Sequence, residues 1–382
     1  MTTDYAIGLM SGTSLDGIDA SLIKSDGRDM TRMIRTAHLA YDSKTQDLLR
    51  LAIRDALQKN SPKDTTAAIE EAAYQLTRLH ARTVKILLDE ADIRSEQIAC
   101  IGFHGQTVAH RPDEGWTWQI GQPELLASLT GIDVVFDFRS NDIRNGGQGA
   151  PLVPLYHRAR ATESKLTQPV VVANIGGIAN VTWIGPGAKS DRAIVALDTG
   201  PGGGLLDEWI QMRCGQPMDL DGTNTLAGRA DLGWIAKALS HPWFELPPPK
   251  SLDRHDFSFD FIEQSESLND LLDFTTEDGA ATLAAFTAAC MERACRFFPQ
   301  QAERWIICGG GRHNPGIMNY LKARLSAPVL SCDVLGWRGD FLEAEAFAWL
   351  GLRSLKGLPL TTPETTGVDH PVSGGVIFHP LK

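Results

Sequence analysis

The feature that most constrains this chain is an order of elements that occurs twice. Each block begins with two apolar strands joined by a glycine-containing turn, and continues with a third strand, helix and two further strands. In the first block the strands are predicted over residues 5–10, 18–24 and 33–41, followed by helices over 45–58 and 65–91. Strands over 98–103 and 132–136 complete this block.

The second block starts near Pro169 and repeats that order. Strands are predicted over the ranges 170–174, 178–184 and 194–197, helices over 203–212 and 279–298, strands over 305–308 and 329–332, and a last helix over 341–355. At about 150 residues per domain, 382 residues correspond to two or three domains. The repeat therefore predicts two α/β lobes, with a ligand bound in the cleft between them.

The turn of the first hairpin is rich in glycines, hydroxyls and carboxylates. Glycines allow close approach of the backbone, and the hydroxyl and N–H groups of such a turn can hold phosphate oxygens. The turn lacks the lysine of a Walker A loop, and an ordinary hairpin turn is the alternative interpretation. Asp16 and Asp19 are suited to orient a hydrated Mg²⁺, although no dedicated metal site is predicted.

Two further glycine runs have the same two explanations. Gly176-Gly177 forms the matching hairpin of the second block and would face the same phosphates, or it is simply a turn. Gly309, Gly310 and Gly311 follow a buried strand, which suggests close approach to a flat group such as adenine. A sharp turn from strand to helix is the alternative for these three glycines.

Two sets of carboxylates complete the candidate chemistry. Asp198 is predicted at the end of a strand, before a glycine turn, where a general base is often found in α/β folds. Helix capping is the alternative role for Asp198. Glu343 and Glu345 begin the last helix, where acidic residues favour the helix dipole.

Composition excludes several classes of function. The net charge of −11 argues against general binding to nucleic acid or to an anionic membrane. No apolar stretch approaches the roughly 18 residues of a membrane span, and no signal peptide is visible. The six cysteines show no CxxC spacing, which indicates reduced thiols and a cytoplasmic protein.

Segments in order along nearly the whole chain resemble the anhydro-N-acetylmuramic acid kinase family. The two most specific are GLMSGTSLDGID at 8–19 and GGQGAPLVP at 146–154. The others are residues 104–107, 119–121, 137–139, 174–180, 198–202, 308–311, and Glu343 with 346–349.

This resemblance implies that the chain belongs to the superfamily of acetate and sugar kinases, heat-shock chaperones and actin. The implied fold is α/β, with two ribonuclease-H-like lobes of mixed sheets flanked by helices and an ATP cleft between them. We expect an N-terminal lobe of 1–138 plus 347–382 and a C-terminal lobe of 139–346. The implied reaction uses ATP, Mg²⁺ and water to convert 1,6-anhydro-N-acetylmuramic acid to N-acetylmuramic acid 6-phosphate and ADP, in the recycling of cell-wall sugars. The sequence is compatible with a homodimer.

The resemblance also assigns roles to residues. It implies that Asp198 is the catalytic base. The implied ATP-binding residues are Gly12, Thr13, Ser14, Leu15, Asp16, Gly17, Ile18, Asp19, Gly176, Gly177, Gly309, Gly310 and Gly311. The candidate sugar-binding residues are His104, Gln119, Arg139 and Glu343.

The chain departs from the family pattern at two places. Gly203 stands where the family usually has Asn after Gly-Pro-Gly, which concerns a polar contact close to Asp198. Leu252-Asp253 replaces the usual Thr-Gly and affects a loop over the substrate. Neither departure removes a residue that the chemistry requires.

Two other functions remain open at this point. One is a conventional sugar kinase of the same superfamily, in which Asp198 deprotonates a free hydroxyl. The other is a nucleotide switch without catalysis, similar to actin or a chaperone, although no partner-binding domain is apparent in the sequence.

Overall fold

Two mixed β-sheets with the same strand order organise the protein, one in each of two units of the chain. The first unit comprises residues 1–165 and 341–382, and the second comprises residues 166–340. This computed structural model describes residues 2–12, 14–187, 193–252, 257–265 and 268–381.

The strands of the first unit are β1 Asp4–Met10, β2 Gly17–Ser25, β3 Thr31–Ala40, β4 Ile98–Phe103, β5 Gln106–Arg111, β6 Trp116–Ile120, β7 Val134–Phe136 and β13 Val376–Phe378. Those of the second unit are β8 Val170–Ile175, β9 Ile178–Ile184, β10 Ile194–Pro201, β11 Arg304–Cys308 and β12 Val329–Ser331.

The helices of the first unit are α1 Ser43–Leu57, α2 Ala67–Ala91, α3 Pro123–Thr130, α4 Ser140–Arg144, α5 Pro154–Glu163, α12 Leu342–Leu355 and α13 Pro363–Thr366. Those of the second unit are α6 Gly204–Cys214, α7 Thr223–Ala227, α8 Leu232–Leu239, α9 Phe259–Gln264, α10 Thr276–Ala294 and α11 Pro315–Arg324.

The two main sheets share the topology of five strands, and β13 is an additional edge strand of the first sheet. The first is ordered β13-β7-β4-β1-β2-β3 and the second β12-β11-β8-β9-β10, with β5 and β6 forming a separate two-stranded sheet. In each, the first strand pairs antiparallel with the hairpin partner and parallel with a strand that follows the helices. The predicted repeat is therefore confirmed, since each unit is an α/β fold with a mixed sheet.

The predicted lobe limits differ from these units at both crossings of the chain. Helix α5 belongs to the first unit, because the Tyr156 hydroxyl donates to Glu345 Oε2 at 2.5 Å and Arg160 Nη1 donates to the Thr31 carbonyl at 3.0 Å. Glu345 is fully buried, so its role is to hold α5 to α12. The units therefore change at 165/166 and 340/341, where the sequence predicted 138/139 and 346/347.

Helix α12 lies directly on the centre of the first sheet. A Cβ added at Gly8 of β1 would overlap the carbonyl oxygen of Ala344 and the amide nitrogen of Ala348. A Cβ at Gly102 of β4 would overlap the carbonyl of Phe347. The glycines let the helix backbone approach the sheet, and this approach fixes where Glu343 lies.

We expect Gly8→Ala to destabilise the protein by about 2 kcal/mol, because one methyl group must displace the backbone of α12. Urea unfolding would measure this as a lower midpoint. Gly310→Ala is the matched control, since an ordinary φ and open space surround its added Cβ. Equal midpoints for the two variants would show that α12 does not need the contact at Gly8.

Candidate active site

The turn between β1 and β2 is a polar loop held from several sides. Leu15 has φ of +56°, and its N–H donates to the Gly12 carbonyl at 3.3 Å. The Gln106 side chain donates to that same carbonyl at 3.2 Å, and Ser11 Oγ donates to the Gly105 carbonyl at 3.0 Å. Thr13, also predicted to bind ATP, lies outside the described residues.

The loop presents backbone donors suited to an anion. Within the described part of the chain, the N–H groups of Gly12, Ser14 and Asp16 donate to no protein acceptor. Ser14 Oγ donates to Asp16 Oδ1 at 2.7 Å. Successive N–H groups beside a residue in the left-handed region form an anion-binding concavity.

His104 and Arg139 form a buried pair in the first unit. Arg139 Nη2 donates to His104 Nε2 at 3.0 Å, and Arg139 Nη1 donates to the Gly149 carbonyl at 2.7 Å. Because arginine can only donate, Nε2 is the acceptor and Nδ1 carries the proton, which it donates to the Gly105 carbonyl at 2.7 Å. Burial lowers the pKa of His104 well below its usual range, and the Arg139 charge lowers it further. His104 is therefore a neutral imidazole with one defined tautomer.

Glu343 belongs to the same electrostatic environment. Burial raises the pKa of its carboxyl, Arg139 lowers that pKa and Asp19 raises it. Part of the Glu343 surface remains accessible. Asp19 itself lies 2.8 Å from the ring nitrogen Nδ1 of His38. Of the predicted sugar-binding residues, His104 and Arg139 are thus in direct contact, and the charges of Arg139 and Asp19 both act on Glu343.

Gln119 lies on β6, in the separate two-stranded sheet. Its amide nitrogen donates to the hydroxyls of Thr117 and Thr107, at 2.8 and 3.1 Å. Gln106, at the start of β5, connects this sheet to the loop between β1 and β2 through its hydrogen bond to the Gly12 carbonyl.

Asp142 is an important residue that the sequence analysis missed. Its buried carboxylate accepts from the Gly149 N–H at 2.6 Å and from the hydroxyls of Thr361 and Thr366 at 2.5 and 2.6 Å. It therefore fixes the loop whose Gly149 carbonyl holds Arg139. Its position between the family-like segments 137–139 and 146–154 was the available signal.

Asp198 is held by the loop that follows residue 249. Its carboxylate Oδ2 accepts from the Leu252 N–H at 2.8 Å, and its own N–H donates to the Lys250 carbonyl at 3.0 Å. The bond to Oδ2 uses the backbone of residue 252, so it does not depend on the threonine that is usual there. Asp253, the second departure, lies outside the described residues.

The strand around Asp198 corrects one prediction. β10 does not end at Asp198 but continues to Pro201, with a bulge between Asp198 and Gly200. Gly200 has φ of +150°, and a Cβ there would lie 2.8 Å from the Cys290 sulfur. The bulge changes the pairing register next to Asp198, as bulges near active sites often do.

The second hairpin is hydrogen-bonded through its glycine carbonyls to the segment that follows β10. The carbonyl of Gly176 accepts from the Gly203 N–H at 2.7 Å, and that of Gly177 accepts from the Gly202 N–H at 2.8 Å. A Cβ at Gly202 would overlap the Gly176 carbonyl. Position 203 has φ of −78° and room for a side chain, so glycine is not required there.

The three glycines after β11 divide between the two interpretations. A Cβ at Gly309 would lie 2.5 Å from Asn174 Oδ1, and one at Gly311 would overlap the Ile175 side chain. Gly310 is exposed, and no atom lies within 4 Å of its added Cβ. Contacts with β8 therefore require glycine at positions 309 and 311, whereas the space beside Gly310 is open.

The described part of the chain contains no group of three or more His, Cys, Asp or Glu side chains arranged to hold a metal ion. None of its helices combines the length and apolarity needed to cross a bilayer. All six cysteines are free thiols.

Comparison with known proteins gives one consistent family. The family model described as anhydro-N-acetylmuramic acid kinase matches residues 4–380. Among similar proteins, the anhydro-N-acetylmuramic acid kinase of Nitrobacter winogradskyi is 46% identical over 98% of this chain and 99% of its own length. The protein of the same name from Rhizorhabdus wittichii is 44% identical, with all of both chains covered.

A solved structure supports the fold. Component A of the (R)-2-hydroxyglutaryl-CoA dehydratase of Acidaminococcus fermentans matches with a TM-score of 0.50 at 12% identity. The match covers 92% of this chain and 99% of that one. At this identity the likeness concerns the arrangement of strands and helices alone.

Proposed function

Because this chain belongs to the anhydro-N-acetylmuramic acid kinase family, we propose that it performs that family's reaction with Asp198 as the general base. The enzyme is an ATP-dependent kinase that opens 1,6-anhydro-N-acetylmuramic acid and phosphorylates O6, in the recycling of cell-wall sugars. The observation that carries the proposed role is the bond from the Leu252 N–H to Asp198 Oδ2, which orients the carboxylate.

In the proposed chemistry, Asp198 accepts a proton from a water molecule as the water oxygen attacks the anomeric carbon. The bond between C1 and O6 breaks, and its electron pair goes to O6. O6 then attacks the γ-phosphorus, and the bond to the bridging oxygen breaks to release ADP. Asp198 afterwards gives its proton to solvent. General base action of this kind contributes about 10²–10⁴ in rate.

We propose that the loop from Gly12 to Asp19 binds the phosphates of ATP. The N–H groups of Gly12, Ser14 and Asp16 support this role, as do the hydroxyls of the loop. Asp16 and Asp19 are the carboxylates that would orient the waters of Mg²⁺, an ion usually bound by one or two carboxylates together with substrate phosphates. When bound, Mg²⁺ neutralises charge on the transferring phosphoryl group. Gly310 is the proposed point of approach for adenine.

We propose that the sugar contacts His104, Gln119, Arg139 and Glu343. The fixed tautomer of His104 and its bond to Arg139 support a preorganised set of polar groups. Arg139 is a cation suited to the lactyl carboxylate of the sugar. Glu343, whose pKa is raised by burial, is suited to a sugar hydroxyl or to the water.

A cytoplasmic location and a homodimer are further proposals. Six free thiols fit a reducing compartment that also supplies ATP. Exposed apolar side chains on one stretch of the second unit, Met212, Met218, Leu220, Leu226 and Leu232, support self-association. The mass of the protein in solution would decide the oligomeric state.

The experiment that tests the function is ATP turnover with and without the anhydro sugar. We expect ADP release to require the sugar and to yield N-acetylmuramic acid 6-phosphate in equal amount. ADP release at the same rate without sugar would indicate a nucleotide switch instead. Product from other free sugars but not from the anhydro sugar would indicate a conventional sugar kinase.

We expect Gly12→Val to weaken ATP binding at least about tenfold, a loss of about 1.4 kcal/mol, and to leave sugar binding within about twofold. The residue has an ordinary φ, and its added Cβ lies in ordinary contact with Ser14, 3.5 Å from Oγ and 4.0 Å from the amide nitrogen. The chain therefore tolerates the change, and the branched side chain obstructs the ligand. Calorimetric titration with each ligand separately measures both affinities. An unchanged ATP affinity would place the phosphates elsewhere.

A further inference from the structure

Lys250 is a buried lysine that none of the roles above uses. Its Nζ lies 4.0 Å from the centroid of the Trp243 ring and 5.1 Å from that of Phe297. It donates to the carbonyls of Trp243 and Phe244 at 3.2 and 3.4 Å. Only 8% of the residue remains exposed. The ammonium is thus enclosed by aromatic faces and backbone oxygens.

The surroundings make this cation unfavourable for folding. In the described part of the chain, no carboxylate lies within salt-bridge distance of Lys250 Nζ. Glu245, the acidic group nearby, pairs with Arg293 and with Arg296. Burial, together with the charges of Arg296 and Arg293, lowers the pKa of Lys250 to about 8, against the opposing effects of Cys290 and Glu245. At pH values between the lowered pKa of Lys250 and the ordinary pKa of lysine, the unfolded chain binds the Lys250 proton more tightly than the folded chain does.

The backbone of this same lysine is tied to Asp198. The Lys250 carbonyl accepts from the Asp198 N–H at 3.0 Å, and Leu252, two residues later, donates its N–H to Asp198 Oδ2 at 2.8 Å. The loop therefore grips both the main chain and the carboxylate of Asp198. Its side-chain anchor is the ammonium of Lys250, held between Trp243 and Phe297.

We propose that Lys250 is a positioning residue that fixes the carboxylate of Asp198 through the segment from 250 to 252. This inference rests on the proposed function, because it presupposes that Asp198 is the base. Because the buried charge of Lys250 disfavours folding, a contribution to stability does not explain the aromatic enclosure. Holding Asp198 in position does explain it. Small displacements of a catalytic group are costly in rate, up to about 10²-fold for 1 Å.

The test is Lys250→Met, which keeps the length of the side chain and removes the charge and the hydrogen bonds. We expect kcat to fall at least about tenfold, while KM for ATP stays within about threefold. The acid limb of the kcat profile should move to higher pH, because a less well-held N–H at Leu252 stabilises the Asp198 carboxylate less. The unfolding temperature at pH 7 should not fall, since a desolvated cation is removed.

Three further variants separate the possible outcomes. Trp243→Leu removes one wall of the enclosure without touching the lysine, and should reproduce the lower kcat and the shifted acid limb if Lys250→Met fails to fold. Lys237→Met removes an exposed lysine of the same unit, which pairs with Asp270, and should leave kcat unchanged. In single turnovers of Asp198→Asn, adding Lys250→Met should change the residual rate by less than about twofold.

The results distinguish this inference from the proposed function. Unchanged kcat in Lys250→Met, or an equal loss with and without Asp198, would overturn the positioning role. Retained activity in Asp198→Asn alone would instead overturn the role of Asp198, and with it this inference. An unmoved acid limb in both Lys250→Met and Trp243→Leu would show that the enclosure only packs.

Discussion

Asp198→Asn will lower kcat at least about 10²-fold and leave the affinity for ATP within about twofold. Asparagine keeps the shape of the side chain, and its amide oxygen can still accept from the Leu252 N–H that now binds Oδ2. It cannot take a proton from water. Steady-state turnover and calorimetric titration with ATP measure the two quantities.

The matched control is Asp231→Asn in the same unit. Asp231 caps α8, where Oδ1 accepts from the Trp234 N–H at 2.8 Å, and asparagine is an equally good cap. This variant should retain activity within about twofold. If Asp198→Asn also stays within a few-fold of the parent, Asp198 is not the base.

The enzyme will phosphorylate the anhydro sugar at least about 10²-fold faster than ordinary N-acetylmuramic acid. Ordinary N-acetylmuramic acid already has a free O6, so a conventional kinase would prefer it. It also carries an anomeric hydroxyl where the attacking water must lie beside Asp198, and this displaces the water and misplaces O6. Rates on the two sugars at matched concentration measure the preference.

Isotopic labelling tests the same coupling independently of rate. In ¹⁸O-labelled water, the label should enter the anomeric oxygen of the product and be absent from the phosphate, because water attacks carbon and O6 attacks phosphorus. Mass spectrometry of the intact product and of the released phosphate separates the two positions. Label in the phosphate would show that water attacks phosphorus, contrary to the coupled mechanism.

Local patterns predicted most of the repeated framework. The hairpins, their third strands and the helices α2 and α12 lie where apolar spacing and glycine turns indicate them. The prediction for α10 ran too far, to residue 298, whereas the helix ends at Ala294. Pro299 disfavours helix at the residue before it, a signal that the alanine-rich pattern concealed. The hairpin of β5 and β6 was missed because β5 has only two apolar residues, Val108 and Ala109, between polar ones.

The candidate site was predictable in its residue types but not in its contacts. The pairing of His104 with Arg139, and the hold of Asp142 on Gly149, depend on long-range packing that no local spacing encodes. The reason for glycine at positions 309 and 311 could not be predicted either, since it is the contact with β8 that requires glycine there. The ATP and sugar contacts predicted by resemblance, Thr13 among them, therefore remain predictions for the ligands to test.

The packing of α12 on Gly8 and Gly102 affects how the chain can fold during its synthesis. The ribosome releases β1 and β4 long before Leu342. The sheet face that contains Gly8 and Gly102 therefore stays uncovered by α12 while residues 166–340 are synthesised. The second unit is continuous in sequence and can form while the first is still open, which reverses the usual order of folding from the N-terminus. A premature stop codon anywhere before Leu342 would leave the N-terminal strands without their covering helix, and would make the nascent product a substrate for chaperones and proteases.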